Sequence, residues 1–348
     1  MPVKRDGNTV YIDGLQHERW GAGINENSVM GSMAAAFKAM GRDYSYEYLM
    51  GISGAAFRIQ ISRPGICPSS PHAVCGFDCA AAAIKLLPYR FAELGPKKAD
   101  DAEAVASARD AVVGYIDRGV PVFFSSEENS LVVGYSDGGR SLLLRKYCAG
   151  EPGYVAEGGV PWGFLALVPD EKTLPSVRDM YITALRRARE LAEADGFPVG
   201  GQEGQGTYYA AGWKAYDAWI ADLSDERAIG GYDKDRLFQF QLGNGHCYYC
   251  LLDARASAAK FCGMAAEVLG GKAAGHLAIA ARIYEDLASK NLSATCPTDL
   301  APMPWMMKEG KGWDARMRAA QVATLTKARD QDRKALAEIE AALASTAP

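Results

Sequence analysis

The stretch 24-INENSVMGSMAAAFKAMG-41 predicts the first long helix of the chain and decides the fold class. Its apolar side chains recur at steps of three and four residues, which is the spacing of one buried helix face. They are Val29, Met30, Met33, Phe37 and Met40. Asn27 or Ser28 occupies the position of an N-cap, and Gly41 is placed to end the helix. The sequence thus predicts a buried helix with a serine at its positive end.

Outward from this helix, the first half of the chain mixes helices and strands. A short strand is predicted at 9–12 and a helix at 101–117. Apolar, β-prone runs follow at 120–124, 130–135, 141–147 and 162–168. A helix followed by a meander of strands is typical of the α+β class with an antiparallel sheet. We therefore predict an α+β domain over residues 1–170.

After Pro169 the chain becomes rich in Ala, Arg, Glu and Leu at helical spacing. Helices are predicted at 176–194, 206–223, 247–269, 272–292 and 314–343. The sequence therefore predicts an all-helical domain over residues 171–348. We expect its last, charged helix to project from the domain and contact a partner. A homodimer formed through the C-terminal helices is one possible assembly of this kind.

Composition excludes several classes of protein. A formal net charge of -4 and a pI near 5.7, without a dense Lys/Arg stripe, argue against nucleic-acid binding. No segment has the roughly 18 uncharged apolar residues of a membrane span, and the N-terminus lacks an apolar signal core, so a cytoplasmic protein is expected. The glycine-rich segments complete no nucleotide fingerprint, so we predict no cofactor.

Two segments carry a family resemblance that spans about residues 20–168. They are 41-GRDYSYEYLMGISGAAFRI-59 and 119-GVPVFFSSEENSLVVGYSDGGRSLLLRKY-147. Together they resemble the family of the N-terminal domain of butirosin biosynthesis protein H, and they are more distantly similar to papain-like peptidases, including the bacteriocin-processing type. The resemblance implies a papain-like domain with a cysteine starting the first helix and a histidine six residues before a strand-borne Gly-Tyr. It also implies acyl transfer from a carrier thioester to an amine.

The matching catalytic positions carry other residue types in this chain. Counting back from Gly41 places the nucleophile at Ser28, and counting six residues back from Gly134 places the base at Glu128. The orienting position falls near Tyr147. A serine needs a matched general base, and a carboxylate is too weak a base unless burial raises its pKa. Simple Cys/His proteolysis is therefore not expected.

The loop 63-RPGICPSSPHAVCGFDC-79 concentrates cysteines and a histidine between turn-forming residues. It lacks a paired C-x-x-C knuckle, so zinc is disfavoured and we predict no metal. A relocated catalytic pair remains open, with Cys67 or Cys75 as nucleophile and His72 as base, beside an ordered loop of packed cysteines. The second cluster, 245-GHCYYCLLDAR-255, is better explained by core packing than by zinc or redox chemistry.

A set of polar residues is predicted to bind the substrate. Its members are Glu26, Asn27, Arg58, Asp78, Glu127 and Asn129. In a papain-like arrangement, 26–28 would face 127–129 across one cleft, where paired glutamates suit an amine-bearing ligand. Arg58 would pair with a glutamate or bind a carboxylate.

These observations lead to two hypotheses of different class. The first is an amide or acyl-transfer enzyme, an acyltransferase or amidase, acting on a small amine- or amide-bearing metabolite. An acyl carrier protein is a possible partner, docked on basic residues such as Arg178 and Arg186. The alternative is a degenerate papain-like module that binds a small metabolite or peptide without catalysis.

Overall fold

The computed structural model describes residues 1–16, 19–95, 101–125, 128–147, 153–155, 164–199, 208–295, 297–307 and 313–346. Helices combine with antiparallel strands, which confirms the predicted α+β class. The chain forms two compact units. The first contains Met1–Gly21, Asn27–Leu49 and Ile84–Leu174, and the second contains Ala22–Glu26, Met50–Ala83 and Pro175–Pro348. The segment Met50–Ala83, which lies before the division predicted at residue 170, belongs to the second unit.

The elements are numbered in chain order. The strands are β1 (Val3–Asp6), β2 (Thr9–Ile12), β3 (Gln60–Arg63), β4 (Tyr89–Glu93), β5 (Val122–Ser125), β6 (Asn129–Ser136), β7 (Ser141–Arg145), β8 (Gly153–Val155), β9 (Leu165–Pro169), β10 (Gly196–Pro198) and β11 (Tyr208–Ala211). The helices are α1 (Ser28–Ala39), α2 (Tyr46–Ser53), α3 (Cys79–Ile84), α4 (Ala102–Asp117), α5 (Val177–Glu193), α6 (Gly212–Ser224), α7 (Glu226–Gly230), α8 (Lys234–Leu269), α9 (Gly271–Asp286), α10 (Pro297–Leu300) and α11 (Ala315–Ser345). A π-helical segment, Leu287–Leu292, continues α9.

The first unit is built on one antiparallel sheet. Its strands follow the order β1-β2-β6-β5-β9-β4, while β7 also pairs with β6 and β8 with β7. Helices α1 and α4 both pack against β6. Because β6 is contacted by both helices, six consecutive residues of it, 130–135, are buried. The predicted strands at 120–124, 130–135 and 141–147 correspond to β5, β6 and β7.

Helix α1 forms where the sequence predicts it. Asn27 is the N-cap, since its side-chain oxygen accepts from Met30 N at 3.1 Å, and Ser28 is the first residue of the helix. Gly41 follows the last turn with a φ of +76°, a conformation that glycine adopts without strain. Burial extends beyond the predicted apolar face, since Ser28 and Ser32 are buried as well. The serine at the helix start is thus held inside the first unit.

The second unit contains a small sheet that the sequence does not predict. It has the order β10-β11-β3, and β11 pairs with β3 from Tyr208↔Arg63 to Ala211↔Gln60. The predicted helix start at residue 206 is wrong, because 208–211 is a strand and α6 begins only at Gly212. Gly212 has a φ of +54°, and its missing Cβ admits the carbonyl of Ala192. Distant strand pairing overrides the local helical pattern here.

Helix α8 begins at Lys234, thirteen residues before the predicted start at Cys247. Gly243 and Gly245 are poor helix formers, and in sequence they indicate a break. In the fold they are contact points: the backbone of Ile66 and Cys67 lies against Gly243, and Met303 lies against Gly245. Close packing therefore explains why glycines stand inside a 36-residue helix.

Helix α11 packs against α9 and α6 instead of projecting, so that prediction is wrong. Its inward face includes Leu325, Ala335 and Ile339, which are all fully buried. Homodimer formation through the C-terminal helices stays a prediction. Within the described part of the chain, no helix has the length and apolarity of a membrane span.

Candidate functional site

The first candidate site lies at the start of α1, in the first unit. Ser28 Oγ donates a hydrogen bond to Glu128 Oε2. Ser28 is the first residue of the helix, and Glu128 immediately precedes β6, so both reactive groups stand at the end of a regular element. The two positions found by counting from Gly41 and Gly134 are therefore hydrogen-bonded to each other in space.

Asn129 completes the environment of the serine hydroxyl. Its backbone N–H donates to Ser28 Oγ at 3.3 Å, and its side-chain Nδ2 lies 3.5 Å from the same oxygen. The buried Ser32, one turn along α1, donates to the carbonyl of Asn129 at 2.8 Å. The start of β6 is thereby fixed against the first turns of α1. The N–H groups of Asn129 point at Ser28 Oγ, the oxygen that would attack a substrate.

The electrostatics of this site depend on burial. Burial raises the pKa of the Glu128 carboxyl above its ordinary value, and the hydrogen bond from Ser28 offsets part of that rise. A carboxylate with a raised pKa is a stronger base than an ordinary glutamate. The side chain of Ser28 points inward, since the residue is only 4% exposed. The arrangement suits proton transfer from a hydroxyl to a carboxylate.

The next predicted position is that of Tyr147. The side chain of Tyr147, at the predicted orienting position, lies directly against Gly31 in the first turn of α1, where a Cβ would collide with its ring. The backbone N–H of Tyr147 donates to Ser130 Oγ at 3.3 Å. Tyr147 thus contacts α1 three residues after Ser28 and β6 two residues after Glu128. Glu127, predicted to bind substrate, lies outside the described residues.

Glu26, also predicted to bind substrate, belongs to a tight turn in the second unit. Its buried carboxylate accepts from Gly23 N at 2.6 Å. The carboxylate of Asp253 accepts from the backbone N–H groups of Asn25 and Glu26, at 2.9 and 3.1 Å. Ala22 and Asn25 have φ angles of +57° and +50°, which are costly for residues other than glycine. Asp253 therefore holds a strained turn.

The second candidate site is the loop between β3 and α3, in the second unit, and Arg58 organises it. The buried guanidinium donates to backbone carbonyls of Pro71, His72, Cys75 and Phe77. The predicted partner of Arg58 was a carboxylate, and its partners here are these carbonyls. Because these hydrogen bonds use the backbone of the loop, its side chains can contact neighbouring elements of the second unit.

Two polar side chains complete the loop's backbone contacts. Gln60 donates to the carbonyls of Ser70 and Cys75, each at 2.7 Å. Asp78, predicted to bind substrate, accepts from Ala81 N at 2.8 Å and caps the first turn of α3. The loop is therefore ordered by buried donors at one end and by a helix cap at the other.

A chain of polar groups connects the two thiols of this loop. Ser69 Oγ donates to Cys67 Sγ at 3.2 Å and lies 3.0 Å from the hydroxyl of Tyr209 on β11. The Tyr209 hydroxyl is also in hydrogen-bonding contact with the Cys75 side chain. Cys67 is exposed and Cys75 is half-buried.

The two Cys/His clusters of the sequence meet in this region. His246 lies close enough to His72 for the two imidazoles to interact electrostatically, and Cys247 interacts with Ser70 and Cys67. Burial, assisted by His72, lowers the pKa of His246 to about 4, and burial together with Arg58 lowers the pKa of His72. Both imidazoles are therefore neutral at pH 7.

Cys247 of the second cluster and His276 on α9 have structural surroundings. Burial raises the pKa of the Cys247 thiol to about 12, in agreement with core packing. His276 pairs with Glu338, Nδ1 to Oε2 at 2.7 Å. Among the described residues, no three His, Cys, Asp or Glu side chains converge as a metal site would require.

Sequence reasoning missed several residues of these sites. Tyr209, His246 and Asp253 reach their positions through contacts with segments 130 to 230 residues away, which no local pattern reports. Ser69 lies inside the quoted loop, but serine next to proline is common in turns and gave no distinct signal. The only local clue is that Ser69, which carries a hydroxyl group, lies two residues after Cys67.

No protein-family model matches this chain, and no curated protein matches it. The resemblance to the N-terminal domain family of butirosin biosynthesis protein H therefore stays a prediction, and the chemistry has to be argued from the two sites.

Proposed function

We propose that the chain is an acyl-transfer or amide-cleaving enzyme in which Ser28 is the nucleophile and Glu128 its general base. The observation that carries the proposal is the hydrogen bond from Ser28 Oγ to a carboxylate whose pKa burial has raised. The sequence left this condition open, because an ordinary glutamate is too weak a base for a serine. The substrate class is a small amine- or amide-bearing metabolite.

The proposed reaction uses groups in hydrogen-bonding contact. Ser28 Oγ attacks the acyl carbonyl carbon while its proton passes to Glu128, and the C–O bond of an acyl-enzyme forms. Glu128 then returns the proton to the leaving nitrogen or sulfur as the old acyl bond breaks. An amine or water completes the transfer. The N–H groups of Asn129 hold Ser28 Oγ beside Glu128 for this first step.

The position of Ser28 supports this assignment in a second way. Unpaired N–H groups and the helix dipole make the first turn of a helix favourable for negative charge. Because Asn27 supplies the capping oxygen, Ser28 is not needed as the cap. Its hydroxyl is therefore available to Glu128 and Asn129.

Labelling with a fluorophosphonate tests the nucleophile. We expect one adduct, located on Ser28 by peptide mass spectrometry, because this reagent phosphonylates activated serines. Glu128→Gln should slow labelling at least tenfold, since the amide cannot accept the proton, and Ser28→Ala should abolish it. The rate should also rise with pH through a value above 4.5, the ordinary glutamate pKa, because only the ionised Glu128 is a base.

Ser45 supplies a matched control. It is an exposed serine at the start of α2, and its Oγ accepts from Tyr48 N at 3.2 Å. Ser45→Ala should leave the labelling unchanged. Equal labelling of Ser28 and Ser45, or of Ser28 in wild type and Glu128→Gln, would show that Ser28 is not activated and would exclude the proposal.

A non-catalytic binding module is the second candidate function, and the 4% exposure of Ser28 favours it. A nucleophile must be reached by its substrate, whereas a buried Ser–Glu contact also serves as a clasp between α1 and β6. In that case no serine is labelled, while small amines still raise the melting temperature of the protein. A thermal-shift screen of amines with wild type and Ser28→Ala separates the two candidates.

A further inference from the structure

The loop held by Arg58 contains two thiols that share a pair of hydroxyl groups. Cys67 is exposed to solvent, and Ser69 Oγ donates to its sulfur at 3.2 Å. The exposure of Cys67 lets a small oxidant reach the sulfur. The cysteines Cys79, Cys247 and Cys262 are buried, and burial raises the pKa of each of these thiols.

The second thiol stands at the other end of the hydroxyl pair. Tyr209 OH contacts Cys75 and lies 3.0 Å from Ser69 Oγ. Either hydroxyl of the Ser69–Tyr209 pair can be the donor. The Ser69–Tyr209 pair therefore lies in contact with both thiols.

The loop backbone is fixed around these groups. Gln60 and Arg58 both donate to the carbonyl of Cys75, while the backbone N–H of Cys75 donates to the carbonyl of His72 at 3.2 Å. On the other side, Ile66 and Cys67 pack against Gly243 of α8. Both cysteines are thereby held beside Tyr209, which is itself 3% exposed.

We propose that Cys67 and Cys75 form a peroxide-reactive dithiol, in which Cys67 is oxidised first and Cys75 then closes a disulfide. Redox-sensitive cysteines are typically exposed and close to a second cysteine, and here an exposed and a half-buried cysteine contact the same pair of hydroxyl groups. The site is separate from the Ser28–Glu128 pair in its residues and in its chemistry, so it does not depend on the proposed acyl transfer.

The two steps balance with hydrogen peroxide as the oxidant. The Cys67 thiolate attacks one peroxide oxygen, an S–O bond forms, the O–O bond breaks, and hydroxide leaves and takes a proton to become water. The Cys75 sulfur then attacks the Cys67 sulfur, an S–S bond forms and the S–O bond breaks. The proton of Cys75 passes through Tyr209 and Ser69 to the departing oxygen, which leaves as water. Two thiols are oxidised and one peroxide is reduced to two waters.

The test uses the full chain, reduced and then treated with one equivalent of hydrogen peroxide. We expect a mass loss of about 2 Da that dithiothreitol reverses. Cleavage after Phe77 separates Cys79 from the loop, and the loss of about 2 Da should remain on the peptide that contains both Cys67 and Cys75. Cys67→Ser and Cys75→Ser should each abolish the bond, and Ser28→Ala should retain it.

Tyr209→Phe tests the relay, because it removes one oxygen and keeps the ring. It should slow disulfide formation at least tenfold and increase dimedone trapping of the Cys67 sulfenic acid, a shift that loss of packing alone would not produce. Cys250→Ser, a half-buried cysteine on α8, is the matched control and should behave as wild type. A disulfide to another cysteine, including Cys148 or Cys296, or unchanged rates in Tyr209→Phe, would overturn the proposal.

Discussion

The start of α1 and the loop held by Arg58 place their reactive groups by different means. Ser28 and Glu128 stand at the ends of a helix and a strand, so their contact follows from how α1 packs against β6. Cys67 and Cys75 lie on an irregular loop that buried side-chain donors hold by its carbonyls. Ser28 and Glu128 lie at the ends of elements that local sequence predicts, whereas the loop is irregular and depends on partners that only the fold brings near.

The largest expected effect tests the dependence of the loop on the core of the second unit. Arg255, almost fully buried, pairs with Asp332 and donates to the carbonyls of Ala56 and Arg58 at 3.0 and 3.3 Å. Asp332→Ala leaves a buried charge without its counter-ion, which typically costs about 3–5 kcal/mol of unfolding free energy. Urea titration measures this loss, and iodoacetamide should then alkylate Cys67 at a changed rate.

The surface offers a control for this substitution. Asp217 pairs with Arg329 and is 57% exposed in its side chain. Because water screens such pairs, Asp217→Ala should cost less than about 1 kcal/mol. Equal losses in the two variants would contradict the view that the loop rests on a buried ion pair.

A smaller effect is expected from pH, through His246. Its folded-state pKa is about 4, against an ordinary value of 6.5, so the unfolded chain binds its proton first as the pH falls. The stability this neutral imidazole contributes is fully present above pH 6.5 and is lost as the pH falls toward 4. The difference corresponds to at most about 3 kcal/mol. His246→Gln should flatten the urea-derived stability between pH 6.5 and 4.

Burial raises the pKa of Glu128, whereas it lowers the pKa of His246. Because the folded-state pKa of Glu128 is raised, the folded chain binds this proton more tightly, and its contribution to stability declines as the pH rises above 4.5. The two regions therefore respond to pH in opposite senses. If His246→Gln left the pH dependence unchanged, the imidazole would not be neutral in the folded loop region.

The smallest effect separates capping from catalysis at the start of α1. Asn27→Ala removes the cap and should cost about 0.5–2 kcal/mol of unfolding free energy. Ser28→Ala should cost less, because Asn27 still caps the helix, yet it alone should abolish fluorophosphonate labelling. A larger stability loss in Ser28→Ala than in Asn27→Ala would mean that the serine has a mainly structural role.

Most long elements could be predicted because their signals are local. Asp101 and Asp314 cap the predicted helices α4 and α11, where a side-chain oxygen accepts from a backbone N–H three residues later. The apolar runs of the sheet are likewise read from adjacent residues. The short elements α2 and α3 gave no clear pattern, because six to eight residues hold too few helical turns to show a period.

The sequence alone determined the buried helix that begins at Asn27 or Ser28 and the strand that begins beside Glu128, because capping signals and periodicity act over a few residues. The structure decided that Asn27 is the cap. Only the tertiary structure decided that Ser28 meets Glu128, that Tyr209 reaches the thiols of Cys67 and Cys75, and that Arg58 binds carbonyls. Burial, which sets the basicity of Glu128, is likewise a property of the packed fold, since the dielectric around a side chain depends on residues far away in the chain.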